Sequence, residues 1–260
     1  MTNNSIWSNQ IAIVTGGSGD IGKAIVQSLH ELGVRVASAD ISPFESVKSL
    51  EGSPRFDSKI VNVTNEQEVN DWIDEVEHKW GTPTIAIIGA AITIPSSLVK
   101  TTTKDWDSVL AVGLDSSFYV SRAVINKMLE SKTRGRIVFI GSWAASNPHP
   151  HIGSYSVAKA GLRALMQNLA LEHASDGILI NEVAPGIVEA GLSKVLFERD
   201  PALKISALGS IPLGIALSTK DVARDTLFLC SPENTTTTGL VLTSDGGLSI
   251  TSSMNTGLSK

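Results

Sequence analysis

The 260-residue sequence has one cysteine, few aromatic residues and no excess of basic charge. Cys230 has no second thiol for an internal disulfide, so we expect a reducing, cytoplasmic environment. The net charge of −5 gives no electrostatic reason to bind nucleic acid or an anionic membrane. The apolar runs, such as 85–92, are far too short to span a bilayer, and residues 1–10 lack the pattern of a secretory signal. We therefore expect a soluble intracellular protein.

The sequence also has no Pro- or Ser-rich linker, internal repeat or low-complexity segment that would separate two halves. Open α/β sheets often reach this length as one unit. We expect a single domain over residues 1–260, with a flexible tail at 250–260.

Short β-branched runs alternate with longer segments in which apolar residues recur every three or four positions. The unbroken hydrophobicity of the short runs is typical of parallel strands buried on both faces. This alternation predicts an α/β fold, a doubly wound parallel sheet with helices on both faces. The predicted strands are 10–15, 34–39, 59–63, 84–89, 135–141, 178–184 and 239–243. The predicted helices are 21–32, 66–80, 104–131, 155–174 and 221–229.

A glycine-rich turn, Thr15-Gly16-Gly17-Ser18-Gly19-Asp20-Ile21-Gly22, joins the first predicted strand to a helix. Glycines permit the tight reversal and the close approach of a phosphate, and the helix N-terminus attracts a pyrophosphate. A glycine turn without a ligand is the alternative. A carboxylate beside a diphosphate is unfavourable, so we interpret Asp20 as a helix N-cap that points away from the phosphates.

Asp40 ends the second predicted strand. A carboxylate at this place can accept both ribose hydroxyls of adenosine and would repel a 2′-phosphate. Neither the glycine turn nor the residues directly after Asp40 contain a Lys or Arg to neutralise that phosphate. The pattern favours NAD over NADP, the alternative being a solvated loop aspartate.

Tyr155 and Lys159 open a predicted helix, and Ser142 ends the preceding strand. Residues i and i+4 share a helix face, so the two side chains point the same way. A neighbouring ammonium favours the phenolate and would lower the pKa of Tyr155 towards neutral pH. We expect Ser142 to hold a substrate oxygen while Tyr155 exchanges its proton. A tyrosine and a lysine at this spacing also occur by chance on surfaces.

In order along the chain, these motifs resemble the short-chain dehydrogenase/reductase family. The matching residues are the glycine turn ending Ile21-Gly22, Asp40, the Trp106 region, Gly135-Arg136-Ile137-Val138, Ser142, Tyr155, Lys159, Asn181, Pro185-Gly186 and Asp245-Gly246-Gly247. The resemblance implies a Rossmann-type sheet, NAD or NADP, and a homodimer or homotetramer. It also implies that Lys159 bonds the nicotinamide ribose. The expected cofactor contacts are Gly16, Ser18, Gly19, Asp20, Ile21, Gly22, Asp40, Ile41, Asn62, Val63, Gly89, Ala90, Ala91, Tyr155, Lys159, Pro185, Gly186, Ile187 and Val188.

Five positions depart from the family pattern. Asp20 replaces a glycine, Asn62 an aspartate, Gly113 the catalytic asparagine, Ala190 a threonine, and Ile88–Ala91 the usual Asn-Asn-Ala-Gly. The main-chain carbonyl of the asparagine helps to hold a relay water in the family, and glycine keeps that carbonyl.

The substrate is expected to contact Ser142, Trp143, His149, His151 and Tyr155, under a lid formed by residues 190–217. The two histidines flank Pro150, where exposed loop side chains are the alternative. No third ligand accompanies them, so no metal site is predicted.

The first hypothesis is NAD(H)-dependent interconversion of a secondary alcohol and a ketone. A redox-neutral isomerase, cyclase or lyase that uses Tyr155 as acid or base is the second, motivated by Gly113, Ala190 and the 88–91 segment. A catalytically inactive binding protein is the third. The candidate substrates are a polyol, a cyclic alcohol and a hydroxylated apolar compound.

Overall fold

The structure is a computed structural model of the chain, and it describes residues 6–45 and 47–251, except for the side chain of Leu192. All but the first two positions of the predicted tail, 250–260, lie outside the described residues.

Seven parallel strands form one sheet in the order β3-β2-β1-β4-β5-β6-β7. The strands are β1 Ile11–Thr15, β2 Arg35–Asp40, β3 Phe56–Ile60, β4 Ile85–Ile88, β5 Arg136–Ile140, β6 Leu179–Pro185 and β7 Val241–Ser244. Every residue of β1, β4 and β6 is buried, which explains their mostly hydrophobic sequences. The strand order reverses between β1 and β4, so a crevice opens at their carboxyl ends.

Helices cover both faces of this sheet, which confirms the predicted fold class. They are α1 Asp20–Glu31, α2 Glu66–Trp80, α3 Thr103–Leu110, α4 Ser116–Glu130, α5 Gly153–His173, α6 Gly191–Arg199, α7 Pro201–Gly209 and α8 Thr219–Cys230. One apolar cluster lies on the side of α2, α4 and α5, and a second lies on the side of α1 and α8.

Two parts of the chain differ from the predicted elements. Strand β3 covers Phe56–Ile60 rather than 59–63, because it is an edge strand whose last three residues are exposed and carry little pattern. The buried Val61 and Val63 follow the strand in the loop that leads to α2. The predicted lid segment contains α6 and α7.

A π-helical turn at Ala111–Asp115 joins α3 to α4. Together these elements form the one helix of the described residues, Thr103–Glu130, that is long and apolar enough to cross a membrane. Val120 and Val124 of this helix lie in the core, and α4 packs against α2. Its apolar residues are therefore explained by packing inside the protein.

Candidate active site

The glycine turn brings α1 very close to the end of β1. Gly16 has a φ of +71°, and a Cβ at Gly22 would lie 2.1 Å from the Gly16 carbonyl oxygen. A side chain at Gly22 would therefore collide with backbone. The glycines leave the first turn of α1 open to the crevice.

Asp20 does not cap α1, and the N-cap prediction was wrong. Gly19 occupies the N-cap position without a side-chain hydrogen bond, and Asp20 is the first helical residue. Its Oδ2 accepts the backbone N–H of Gly191 at 2.9 Å. The carboxylate thus joins the glycine turn to the first residue of α6.

Asp40 ends β2 beside the glycine turn. Its Oδ2 accepts the Ser18 N–H and its Oδ1 accepts the Ser42 N–H, each at 3.0 Å. A carboxylate oxygen has two lone pairs, so each oxygen can still accept a ribose hydroxyl. Lys159 is the only lysine or arginine among the described residues that line the crevice with Asp40.

Ser142, Tyr155 and Lys159 converge at the ends of β5 and α5. Ser142 directly follows Gly141 at the end of β5, and its hydroxyl accepts the Ala144 N–H at 3.1 Å. It lies close enough to Tyr155 to act on the pKa of that phenol. The Lys159 Nζ lies 5.6 Å from the centroid of the Tyr155 ring. It donates to the Ile140 carbonyl at 2.7 Å. The three side chains therefore form one group.

Burial governs the ionisation of this group. It lowers the pKa of Lys159 to about 8, and the negative charge of Glu182 opposes that decrease. It also raises the pKa of Tyr155, opposed by the Ser142 hydrogen bond and reinforced by Glu182. From the sequence, the neighbouring lysine is expected to lower the pKa of Tyr155. In this structure burial prevails, and the Lys159 ammonium bonds the Ile140 carbonyl.

A cavity of about 770 Å³ runs from the glycine turn to these residues. The expected cofactor and substrate residues that line it are Gly16, Gly19, Asp20, Ile21, Gly22, Asp40, Gly89, Ala91, Ser142, Trp143, His149, His151, Tyr155, Lys159, Pro185, Gly186, Ile187 and Val188. The lining does not include Ser18, Ile41, Asn62, Val63 and Ala90. The Asn62 Oδ1 accepts the N–H and hydroxyl of Thr64, and Ile41 is 70% exposed.

The wall beyond Ser142 is mostly apolar. Trp143 meets the His149 ring edge-on, with centroids 4.3 Å apart, and burial lowers the pKa of His149. The predicted lid contributes Leu196, Phe197, Leu203 and Ala207 to the lining. Among the described residues, no group of three or more His, Cys, Asp or Glu side chains is placed to hold a metal ion.

Gly113 lies in the π-helical turn against α5. A Cβ at Gly113 would lie 3.2 Å from the Ala158 Cβ, next to Lys159 in sequence. The Ser117 hydroxyl donates to the Gly113 carbonyl over a long 3.5 Å. The turn therefore places Gly113 against the helix that carries Tyr155 and Lys159.

Glu182 and Arg163 are two charged residues near the site that the sequence analysis missed. Glu182 is fully buried on β6, and Arg163 bonds both of its carboxylate oxygens. The signal in the sequence was one acidic residue inside the otherwise uncharged strand 178–184.

The fold and motifs are shared with known reductases. The family model described as enoyl-(acyl carrier protein) reductase matches residues 17–249. The 3-oxoacyl-[acyl-carrier-protein] reductase FabG of Thermotoga maritima is 33% identical over 245 residues, covering 93% of this chain and 98% of the relative. FabG of Escherichia coli is 30% identical over 244 residues, covering 93% and 98%. The crystal structure of gox2181 superposes with a TM-score of 0.88 at 31% identity, covering 94% of this chain and 97% of that one. The chain belongs to the short-chain dehydrogenase/reductase family and is an oxidoreductase for which that family implies a nicotinamide cofactor.

Proposed function

We propose that this protein interconverts a ketone and a secondary alcohol with NAD(H), with Ser142, Tyr155 and Lys159 as its catalytic residues. The observation that carries the proposal is their convergence at one end of a cavity whose other end is the glycine turn. The similarity to 3-oxoacyl reductases supports a carbonyl substrate.

The residues present fit a dinucleotide. A Cβ at Gly16 or Gly22 would press on neighbouring backbone, so these glycines permit the tight turn, and the first turn of α1 has no side-chain cap. Asp40 retains lone pairs for the adenosine ribose and disfavours a 2′-phosphate. Pro185–Val188 would border the nicotinamide, and the cofactor supplies or accepts the hydride.

Ser142 and Tyr155 would act on the substrate oxygen. Both side chains line the same end of the cavity, and Ser142 acts on the pKa of Tyr155, so one substrate oxygen could contact both hydroxyls. In reduction, Tyr155 donates its proton to that oxygen; in oxidation, it accepts the proton. Lys159 stabilises the phenolate as a cation, and the Gly113 carbonyl would hold a relay water.

A small carbonyl compound with an apolar flank suits the cavity. Leu196, Phe197 and Leu203 of the lid face it, while His149 and His151 add polar groups at the opposite wall. Water exclusion by α6 and α7 would protect the hydride-transfer step.

We also propose a cytoplasmic, single-domain protein that assembles as a homodimer or homotetramer. Exposed apolar side chains on α4 and α5, such as Phe118, Val157 and Leu171, support self-association. The buried, unpaired Cys230 suits a reducing compartment.

The first experiment is calorimetric titration with NADH and with NADPH, followed by oxidation of the preferred cofactor by a panel of ketones. The panel contains a 3-oxoacyl thioester, a cyclic ketone and a ketose. Tyr155→Phe should bind the cofactor normally and lose turnover. Near-normal turnover in that variant contradicts the proposal. Product formed without any change in nicotinamide absorbance would instead identify the redox-neutral alternative.

A further inference from the structure

A buried ion pair lies directly behind the candidate catalytic residues. The Glu182 Oε2 accepts the Arg163 Nε–H at 2.9 Å, and its Oε1 accepts an Nη2–H at 2.8 Å. The Glu182 side chain is fully buried, and the Arg163 side chain is 18% exposed. This bidentate geometry fixes the guanidinium in one orientation.

The same guanidinium holds the segment that follows β5. Its Nη2 donates to the Ser142 carbonyl at 3.2 Å, and its Nη1 donates to the Ser146 hydroxyl. Arg163 lies on α5, one turn after Lys159 and two turns after Tyr155. One side chain therefore connects α5, β6 and the Ser142–Ser146 segment.

The end of β5 is shaped to admit the carboxylate. A Cβ at Gly141 would lie 2.0 Å from the Glu182 Oε1 and 2.5 Å from its Cδ. Arg163 donates hydrogen bonds to both oxygens of that carboxylate, so the carboxylate cannot move away without breaking them. Gly141 after β5 thus leaves the space that the Glu182 carboxylate of β6 occupies, and Arg163 of α5 holds the carboxylate there.

Stability alone is a weak reason for such a pair. Buried ion pairs are often no more stabilising than apolar residues of similar volume, because both charges lose their hydration. This pair lies within the electrostatic reach of both proton-transfer groups, since the Glu182 charge raises the pKa of Tyr155 and of Lys159.

We propose that the buried Arg163–Glu182 pair is a positioning device, which fixes Ser142 against the helix that carries Tyr155 and Lys159. This proposal depends on the proposed function only in the test that measures turnover. Glu182 also places a fixed negative charge behind the reacting phenol, and Gly141 makes room for it.

The first test reports on Tyr155 without any substrate. The chain has two tyrosines, so Tyr119→Phe leaves Tyr155 as the only phenol, whose ionisation is followed by near-ultraviolet absorbance. In this background, Glu182→Gln should lower the pH of half-ionisation, and Arg163→Met should raise it. General loosening of the fold cannot move the two variants in opposite directions. Glu77→Gln, which removes an ion pair between Glu77 on α2 and Lys127 on α4, is the control and should leave the midpoint unchanged. If the pH of half-ionisation of Tyr155 is unchanged in Glu182→Gln, the electrostatic part of the proposal is wrong.

The second test uses turnover of a 3-oxoacyl thioester with NADH. Glu182→Gln and Arg163→Met should each lower kcat about tenfold to a hundredfold, with the Kd of NADH little changed. Arg163→Lys keeps the positive charge but cannot form the bidentate hydrogen bonds of the guanidinium. The pH of half-ionisation of Tyr155 should therefore stay close to that of wild type, while kcat should be low. Unchanged kcat in all three variants contradicts positioning. A wild-type protein that turns over no ketone of the panel contradicts the proposed function instead, and the phenol titration still decides on the pair.

The glycine gives an independent check. Gly141→Ala should damage kcat in the wild-type background, where the new Cβ meets the Glu182 carboxylate. In a Glu182→Ala background, the same change should add little further loss, because every clashing atom is gone. Additive losses would show that Gly141 and Glu182 act separately and would contradict the proposed match.

Discussion

The Asp20 carboxylate accepts the Gly191 backbone N–H at 2.9 Å and so connects the start of α1 to the start of α6. It stands where the family usually has a glycine, in the wall of the cavity that the cofactor would fill. We expect the residue to weaken cofactor binding through its charge and to hold the lid through its hydrogen bond.

Asp20→Asn and Asp20→Ala separate these two effects. The asparagine keeps an acceptor for Gly191 and removes a negative charge beside the phosphates, so NADH should bind roughly two- to fivefold more tightly at low salt. The alanine should show the same gain and also an increased KM for the ketone, because α6 loses its attachment. Calorimetry at two salt concentrations and steady-state kinetics measure both. Equal affinity in all three proteins would contradict the charge effect.

Asp40 should determine the choice of cofactor. Asp40→Asn keeps one acceptor for the Ser18 or Ser42 N–H and removes the charge that repels a 2′-phosphate. We expect NADH to bind about tenfold more weakly and NADPH to bind more tightly. Asp57→Asn on the neighbouring strand β3, which breaks an exposed ion pair with Lys79 of α2, is the matched control. A wild-type preference for NADPH would refute the role of Asp40.

Two glycines of the same turn should respond very differently to alanine. Gly22→Ala puts a Cβ 2.1 Å from the Gly16 carbonyl oxygen, whereas Gly19→Ala puts one at an ordinary 3.4 Å. We expect the first variant to lose cofactor affinity by about tenfold or more and to unfold at a lower temperature. The second should unfold close to the wild-type temperature, because its Cβ meets no protein atom closer than 3.4 Å. A similar decrease of the unfolding temperature in both variants would contradict the collision at Gly22. It would mean that the turn tolerates no side chain at either position.

The buried Lys159 should leave a signature in the pH dependence of stability. Its pKa is about 8 in the folded protein, against an ordinary 10.5. Between these values the unfolded chain binds more protons, so this residue makes the free energy of unfolding rise with pH. The free energy of unfolding of wild type minus that of Lys159→Met should therefore increase from about pH 8 to about pH 10.5 in denaturant titrations. Lys104→Met, at an exposed position on α3, should show no such trend.

Cys230 offers a direct probe of unfolding. It is fully buried, and burial raises the pKa of its thiol to about 12. Because the thiolate is the reactive form, an alkylating reagent at neutral pH should leave the native protein unmodified and add once to the denatured chain. Mass spectrometry measures the adduct. Rapid labelling under native conditions would show that α8 opens locally.

Elements with a strong apolar period could be predicted well from the sequence. The prediction for α2, residues 66–80, matches its observed bounds, and the buried strands are displaced by only one or two residues at their ends. The lid helices α6 and α7 were not predicted, because their apolar residues do not keep to one helical face. Ser142, Tyr155 and Lys159 could be grouped because the family pattern fixes their order.

Long-range partners could not be predicted in this way. Glu182 and Arg163 lie on a strand and a helix, and nothing in their separate segments indicates that they meet. Asp20 is similar, because its partner Gly191 is 171 residues away in sequence. In each case the tertiary fold decides which donor a carboxylate finds.

The π-helical turn at Ala111–Asp115 also fixes the helical phase of the whole Thr103–Glu130 segment. Each residue in an α-helix advances the chain by about 100°, so the wider turn sets a rotational offset between α3 and α4. Removing one residue there would rotate α3 by about that angle relative to α4, and both α3 and the π turn contact α5. An insertion or deletion of even one residue in this segment would therefore change how α3 packs, whichever amino acids the segment contains.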